Sequence, residues 1–367
     1  MLLGLLAMAL IATLSFFAYQ DNSNKRDSKA IGGAIQDALR GDWDSSRAKA
    51  EVFLSANGPD SPYYLDAQLA IISELLWSTD QSQNMEGVSK IKQLYMQLED
   101  KPTKQAKLVN LLLSYIYNAG GTVFAEAARG EPFNKYFIAG DRLGSLKNLA
   151  EHSLSLYRTS AALLQIGKSS AIKLIQNHDG VVRLSEKDIS AYQQTILNAL
   201  TEADALYTEE DTASRGNATY PLFLSSFFYD RGYLYGVLAL NDPQYLDAAE
   251  YSFNRVINQQ TGLVNIEGAV PLLLDTRLVY SHLELALLFQ NIEGNKHTKE
   301  DVARHLQEIA SIVSTRPENH QKFFIPFLRE MASSTLKGFW FSAPRIRGVA
   351  SLDTSFHQLL VEYGWKF

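Results

Sequence analysis

The chain of 367 residues contains no cysteine, and this absence excludes several kinds of chemistry. Disulfide bonds, thiolate metal ligands, a cysteine nucleophile and a lipid-modified N-terminal cysteine all need a residue that the sequence does not have. Basic side chains are also fewer than acidic ones, 34 against 40, which gives a net charge of −6. A protein without a strong positive field is not expected to bind nucleic acid. With 46% hydrophobic residues, the composition is that of a folded chain.

The signatures of common catalytic and cofactor sites are missing as well. The seven histidines form no His-Glu-x-x-His pattern, and no Gly-x-Ser-x-Gly segment occurs. Gly167-Lys168-Ser169 is similar to the end of a phosphate-binding loop, but Ala162 stands where that loop needs its first glycine. The residues around it also have helical spacing, with no strand before them. The sequence therefore predicts no catalytic residue, no cofactor and no metal ion.

The N-terminal segment has no charge at all. Residues 1–20 contain no charged side chain, and the run from Leu2 to Ala18 is interrupted only by Gly4, Thr13 and Ser15. This length is close to the minimum that spans about 30 Å of hydrocarbon. We therefore predict a transmembrane helix over residues 1–20 and a polar linker over residues 21–27. The alternative is a cleaved signal peptide, which usually has basic residues before the apolar run, and none is present here.

The side of the membrane on which the body lies is open at this stage. Lys25, Arg26 and Lys29 follow the apolar run, and the positive-inside rule then places the body in the cytoplasm. The absence of cysteine favours the opposite side, since free cysteines are common in reducing compartments. We expect an extracytoplasmic body, with a cytoplasmic one as the alternative.

Apolar residues recur at intervals of three and four throughout the rest of the chain. Two such stripes are Leu65, Leu69, Ile72, Leu75 and Leu76, and Val302, Leu306, Ile309 and Val313. This spacing predicts amphipathic helices, and no segment alternates long enough to predict a strand. The ten prolines all fall at or beside inferred helix boundaries. The predicted fold class is all-α, built of antiparallel helix pairs.

Several polar residues are placed where helices are expected to start. Ser185 with Asp188, and Thr298 with Asp301, have the spacing of capping boxes, and Asn84 is a candidate N-cap.

One segment has the residue pattern of a known repeat. Phe228, Gly232 and Tyr235 lie in one predicted helix, and Ala249 and Phe253 lie in the next. These residues resemble the tetratricopeptide repeat family, in which small residues let helices approach and aromatic residues fill the space between pairs. The resemblance implies a solenoid of stacked helix pairs.

The resemblance also has departures. The interval between Gly232 and Ala249 is about five residues longer than the family's 34-residue unit allows, and Arg231 occupies a usually apolar position. A second copy near Trp43 is weaker, because Ser46 and Ala50 stand at its next two signature positions. No binding residues of the family carry over to this chain.

The body divides along the sequence at one polar segment. We predict a first half over residues 28–208, a loop over 209–219, a second half over 220–337 and a capping segment over 338–367. Aromatic residues cluster in a glycine-rich stretch and in the capping segment, and they form a candidate partner surface: Phe133, Tyr136, Phe137, Trp340 and Phe341. The alternatives are a loop that covers an apolar edge and an end cap.

These features together predict a membrane-anchored helical-repeat scaffold or adaptor that binds a protein or peptide partner. The alternative is a tethered all-α protein that binds glycans, or an α/α-toroid enzyme that acts on them, since aromatic rings can stack on sugars. Such an enzyme would need two carboxylates about 5–10 Å apart. The candidate acids are Asp141, Glu202, Asp204, Glu267 and Asp275.

Overall fold

The computed structural model describes residues 27–34, 37, 42–77, 81–119, 130–178, 180–214, 220–263 and 272–315. All regular secondary structure in these ranges is helical, apart from one isolated bridge between Ile138 and Asp141. The predicted all-α class is therefore confirmed. The predicted transmembrane helix over residues 1–20 and the capping segment over 338–367 lie outside these ranges. Among the helices within them, none has the length and apolar character that crossing a membrane requires.

The helices from Trp43 onward are 14 to 29 residues long in the described ranges. Residues 27–34 are helical, and the helices after them are α1 (Trp43–Ala56), α2 (Tyr64–Trp77), α3 (Gln81–Gln97), α4 (Pro102–Ala119), α5 (Arg142–Leu156), α6 (Ser160–His178), α7 (Glu186–Ser214), α8 (Tyr220–Ala239), α9 (Leu246–Leu263), α10 (Leu272–Asn291) and α11 (Lys299–Thr315). Two 3₁₀ turns, Asn134–Tyr136 and Pro243–Tyr245, precede α5 and α9.

The chain forms two compact units, Met1–Gly87 and Val88–Phe367. In the first unit α1 packs against α2, and Phe53 and Leu75 belong to the shared core. Asn84 was predicted as an N-cap, and this is wrong, because it lies inside α3. Its buried amide nitrogen donates at 3.0 Å to the carbonyl oxygens of Leu75 and Leu76, which satisfies two acceptors in the last turn of α2.

In the second unit, four successive helix pairs share one pattern of helix–helix contacts, which we call the neighbour rule. Helices α4, α6, α8 and α10 pack each against the next, and we call them the even-helix row. Each odd-numbered helix from α5 to α11 packs against the even-numbered helix before it, and α5, α7 and α9 also contact the one after it. Among the described residues, no comparable contact joins two odd-numbered helices.

Glycines allow the close approach of helices at two of these contacts. A Cβ atom on Gly167 of α6 would lie 2.7 Å from Cδ1 of Leu234 in α8. A Cβ atom on Gly232 of α8 would lie 2.9 Å from Cε1 of Phe253 in α9. Because Gly167 lies in the middle of α6, its backbone amide belongs to a helix and not to a phosphate-binding loop.

The predicted capping boxes are confirmed, whereas the predicted loop is partly wrong. The amide of Asp188 donates to the hydroxyl of Ser185 at 3.1 Å, and the amide of Thr298 donates to Asp301 at 3.0 Å. Residues 209–214 are helical, because α7 extends to Ser214, and residues 215–219 lie outside the described ranges. The Glu210 side chain accepts a hydrogen bond from the backbone amide of Ser160 at 2.9 Å, and it thereby caps the N-terminus of α6.

Candidate partner-binding face

The residues that resemble a tetratricopeptide signature lie between α8 and α9. Phe228 is 6% exposed, and Ala249 and Phe253 are fully buried. Gly232 faces the Phe253 ring, while the half-buried Tyr235 ring lies 6.2 Å from that of Tyr245. These side chains hold one helix pair together, so their role is structural.

Arg231, which departs from the family pattern, joins three helices. Its Nε and Nη2 atoms donate to the two carboxylate oxygens of Asp204 in α7, at 2.9 and 3.1 Å. Its Nη1 atom donates to Ser252 in α9 at 2.6 Å, and the guanidinium lies 4.7 Å from the centroid of the Tyr235 ring. A planar group with five donors suits such a junction, which explains why this position tolerates a charge.

The predicted partner surface is not confirmed at its first residue. Phe133 is fully buried and packs edge-on against Tyr95, with 4.8 Å between the ring centroids. The half-buried Tyr136 ring stacks on His152 at 4.3 Å, and Phe137 is also half-buried. Phe133 therefore packs against α3 and Tyr136 against α5. Trp340 and Phe341 lie outside the described residues.

A hydrogen bond joins the tyrosine of α3 and the histidine of α5 on which these rings pack. The Tyr95 hydroxyl lies 2.6 Å from Nε2 of His152. Burial lowers the pKa of His152 to about 4, with a smaller contribution from the Lys135 charge. Burial also raises the pKa of Tyr95 to about 12. The imidazole is therefore neutral near pH 7, and its pKa is far from that of an efficient acid–base catalyst.

Three of the candidate acids of a glycoside-active enzyme each have another partner in the described structure. Asp141 accepts from the amide of Gly144 at 3.0 Å and caps α5. Glu202 pairs with Arg158, and Asp204 is held by Arg231. Glu267 and the side chain of Asp275 lie outside the described part. Within that part, no group of histidine and carboxylate side chains has the arrangement of a metal site.

A polar cluster lies on the even-helix row, where α6 meets α8. Nζ of Lys168 in α6 forms an ion pair with Asp230 in α8, and Nε2 of Gln165 donates to the same carboxylate at 3.2 Å. The Lys168 and Asp230 side chains are only 12% and 7% exposed. Burial lowers the pKa of Lys168, while the charge of Asp230 opposes that change. Each charge is thus held in an apolar setting mainly by the other.

A second cation on the same row comes from α10. The guanidinium carbon of the half-buried Arg277 lies 4.6 Å from the centroid of the Tyr229 ring of α8. Its charge also lowers the pKa of Lys168, so the two cations act on one region. Among the described residues, no carboxylate forms an ion pair with Arg277. We call this region, which is formed by the Lys168–Asp230 ion pair and the Arg277 guanidinium, the cationic face.

Sequence reasoning missed the cationic face. Lys168 and Asp230 are 62 positions apart, and no short motif connects residues at that separation. The available signal was a charge in the middle of an apolar helix, since Asp230 follows the aromatic run Phe227-Phe228-Tyr229.

Comparison of the chain with protein-family models, with curated proteins and with solved structures found no match in any of the three.

Proposed function

We propose that this chain is a membrane-anchored helical-repeat adaptor, and that the even-helix row binds a peptide segment of a partner protein. The single observation that carries the proposal is the neighbour rule shared by four successive helix pairs. Stacking of this kind generates a solenoid, whose side-by-side helices give an extended surface for a peptide. The resemblance at Phe228, Gly232 and Phe253 supports a tetratricopeptide-like solenoid in particular.

The chemistry of the cationic face favours an acidic group on the peptide. Asp230 is paired with Lys168, and the planar guanidinium of Arg277 suits a carboxylate of the peptide. The contact with the Tyr229 ring restricts the Arg277 side chain, so that less freedom is lost when a carboxylate binds. Tyr280, one turn beyond Arg277, supplies a half-buried aromatic surface beside it.

The anchor is part of the same proposal. Residues 1–20 are uncharged and long enough to cross a bilayer, and tethering would raise the local concentration of the body at the membrane. The full chain should stay with membranes after alkaline carbonate extraction, whereas a chain that begins at Ser28 should be soluble. Extraction of both forms would contradict the anchor. Protease access to a tag after Phe367 in intact cells tests the proposed extracytoplasmic side.

Peptide binding is tested by selection from a displayed library of random peptides against the detergent-solubilised full chain. Selected peptides should be enriched in Asp or Glu, and Arg277→Gln should weaken their binding about ten- to a hundredfold, because a charge-assisted hydrogen bond contributes about 1.5–3 kcal/mol. Arg255→Gln is the matched control, since the Arg255 guanidinium lies 4.9 Å from the Phe228 ring and belongs to α9, outside the even-helix row. Equal effects of the two changes, or selected peptides without acidic residues, would refute the cationic face.

A further inference from the structure

Two buried histidines face each other between the last two described helices. Nδ1 of His282 in α10 lies 2.9 Å from Nδ1 of His305 in α11, and the residues are 6% and 8% exposed. A hydrogen bond between two imidazole nitrogens needs one donor and one acceptor, so the ring that accepts must be neutral. If the accepting Nδ1 atom is also protonated, both Nδ1 atoms carry a hydrogen and the bond is lost.

The surroundings offer little compensation for a charge on this pair. The charged groups whose fields reach it are Arg304 and Asp301 of α11, Glu250 of α9 and, in the loop before α11, His297. Glu250 and Asp301 already face His297, at 3.2 and 3.8 Å from its two ring nitrogens.

The remaining sides of the pair are occupied by other contacts. The Phe289 ring stacks on His297 at 3.5 Å and lies 5.5 Å from the His305 ring. On α10 itself, the nearest charged residue in sequence is the buried Glu284. Helix α8 also packs on α10, but its charged residues Asp230 and Arg231 are directed to α6 and to α7 and α9.

We propose that His282 and His305 form an acid-sensitive clamp, which holds α11 against α10 while the two buried rings are neutral and is lost when the accepting ring is protonated. Acidification would release α11 locally, before the rest of the unit unfolds. The clamp belongs to the last helix pair and does not depend on the proposed peptide binding.

The direction of the pH effect follows from the burial of the two rings. Burial lowers the pKa of His282 to about 3, with help from His305 and Arg304, and that of His305 to about 4, with help from Arg304. In an opened state both would return towards 6.5. The contribution of the clamp is therefore complete above pH 6.5 and is lost as the pH falls from there towards 4. For each imidazole, the equilibrium constant for opening rises about tenfold for each pH unit by which the pH falls in this range.

The absence of native cysteine permits a direct test in the full chain. Ala310→Cys places a thiol at a fully buried position of α11, and Ala203→Cys places the matched control at a fully buried position of α7. The rate of modification by dithiodipyridine is measured for each variant between pH 7 and 5. The ratio of the two rates removes the intrinsic pH dependence of the thiol. We expect the ratio of the Ala310→Cys rate to the Ala203→Cys rate to rise at least tenfold.

The double change His282→Asn/His305→Asn keeps a hydrogen-bonding pair that cannot titrate, and it should make the ratio independent of pH. A ratio that stays constant in the wild-type background, or that rises equally in the double variant, would overturn the clamp.

A second measurement covers the case in which the double variant does not fold. Side-chain NMR of the wild-type chain should find both imidazoles neutral at pH 6, and a charged ring in the folded protein at that pH would also overturn it.

Discussion

The contact between Gly232 and Phe253 gives the sharpest prediction about the helix pair α8 and α9. A Cβ atom at position 232 would lie 2.9, 3.0 and 3.1 Å from three atoms of the Phe253 ring, whereas carbon atoms normally lie about 3.5–4.0 Å apart. Because three atoms of one rigid ring are involved, the whole ring must move. Overpacking of this kind costs about 1–3 kcal/mol, and the higher helix propensity of alanine returns up to about 1 kcal/mol. We expect Gly232→Ala to destabilise the chain by about 1 kcal/mol.

A second change at Phe253 separates the contact from the propensity. In a Phe253→Ala background every atom of the ring is gone, so Gly232→Ala should no longer clash and should stabilise the chain by about 0.5–1 kcal/mol. Denaturant unfolding of the wild type, both single variants and the double variant gives the coupling free energy. The reasoning is refuted if Gly232→Ala has the same effect in both backgrounds, or if it stabilises the wild type.

Three further changes follow from buried polar contacts. Asp230→Asn should destabilise the chain by about 3–5 kcal/mol in denaturant unfolding, because it leaves the Lys168 charge buried without this carboxylate. Replacing both residues by apolar ones should recover most of this loss. If Asp230→Asn causes no loss, the ion pair is exposed to water. Tyr95→Phe should cost about 1 kcal/mol and should shift the NMR resonances of His152. Unchanged resonances would exclude the hydrogen bond. Asn84→Ser should cost about 1–2 kcal/mol by the same unfolding measurement, because serine lacks the amide that both carbonyl groups bind. An N-cap on the solvent side would tolerate serine equally well.

The parts of the fold that the sequence predicted depend on local spacing. Val302, Leu306, Ile309 and Val313 recur at helical intervals, and all four are buried in α11. The capping box at Ser185 was also predictable, because its partner is only three residues away. Local geometry decides these features, so no knowledge of the tertiary structure was needed.

The wrong predictions concern residues whose partners are distant in sequence. Asn84 has the composition of an N-cap, but two carbonyl groups of the preceding helix claim its amide. Phe133 lies in a glycine-rich stretch typical of a surface loop, yet Tyr95 covers its ring. Glu210 looked like part of a polar loop and instead caps a helix 50 residues earlier. In each case a tertiary contact overrides the local preference.

The candidate site was less predictable than the fold. Lys168, Asp230 and Arg277 come from three helices, and the sequence contains no motif that would associate them. Their relation depends on the stacking of α6, α8 and α10, which places charges from successive pairs on one row. Periodicity predicts which side of each helix is apolar, but it does not specify which helices are neighbours.

Photocrosslinking tests the central claim, that the even-helix row binds the partner, most directly. A selected acidic peptide that carries a photoreactive group is irradiated with the full chain, and the modified residues are mapped by mass spectrometry. The account predicts adducts on α6, α8 and α10 around Arg277 and Tyr280. Adducts concentrated on the outer surface of α9 around Tyr251, which is 55% exposed, would contradict it.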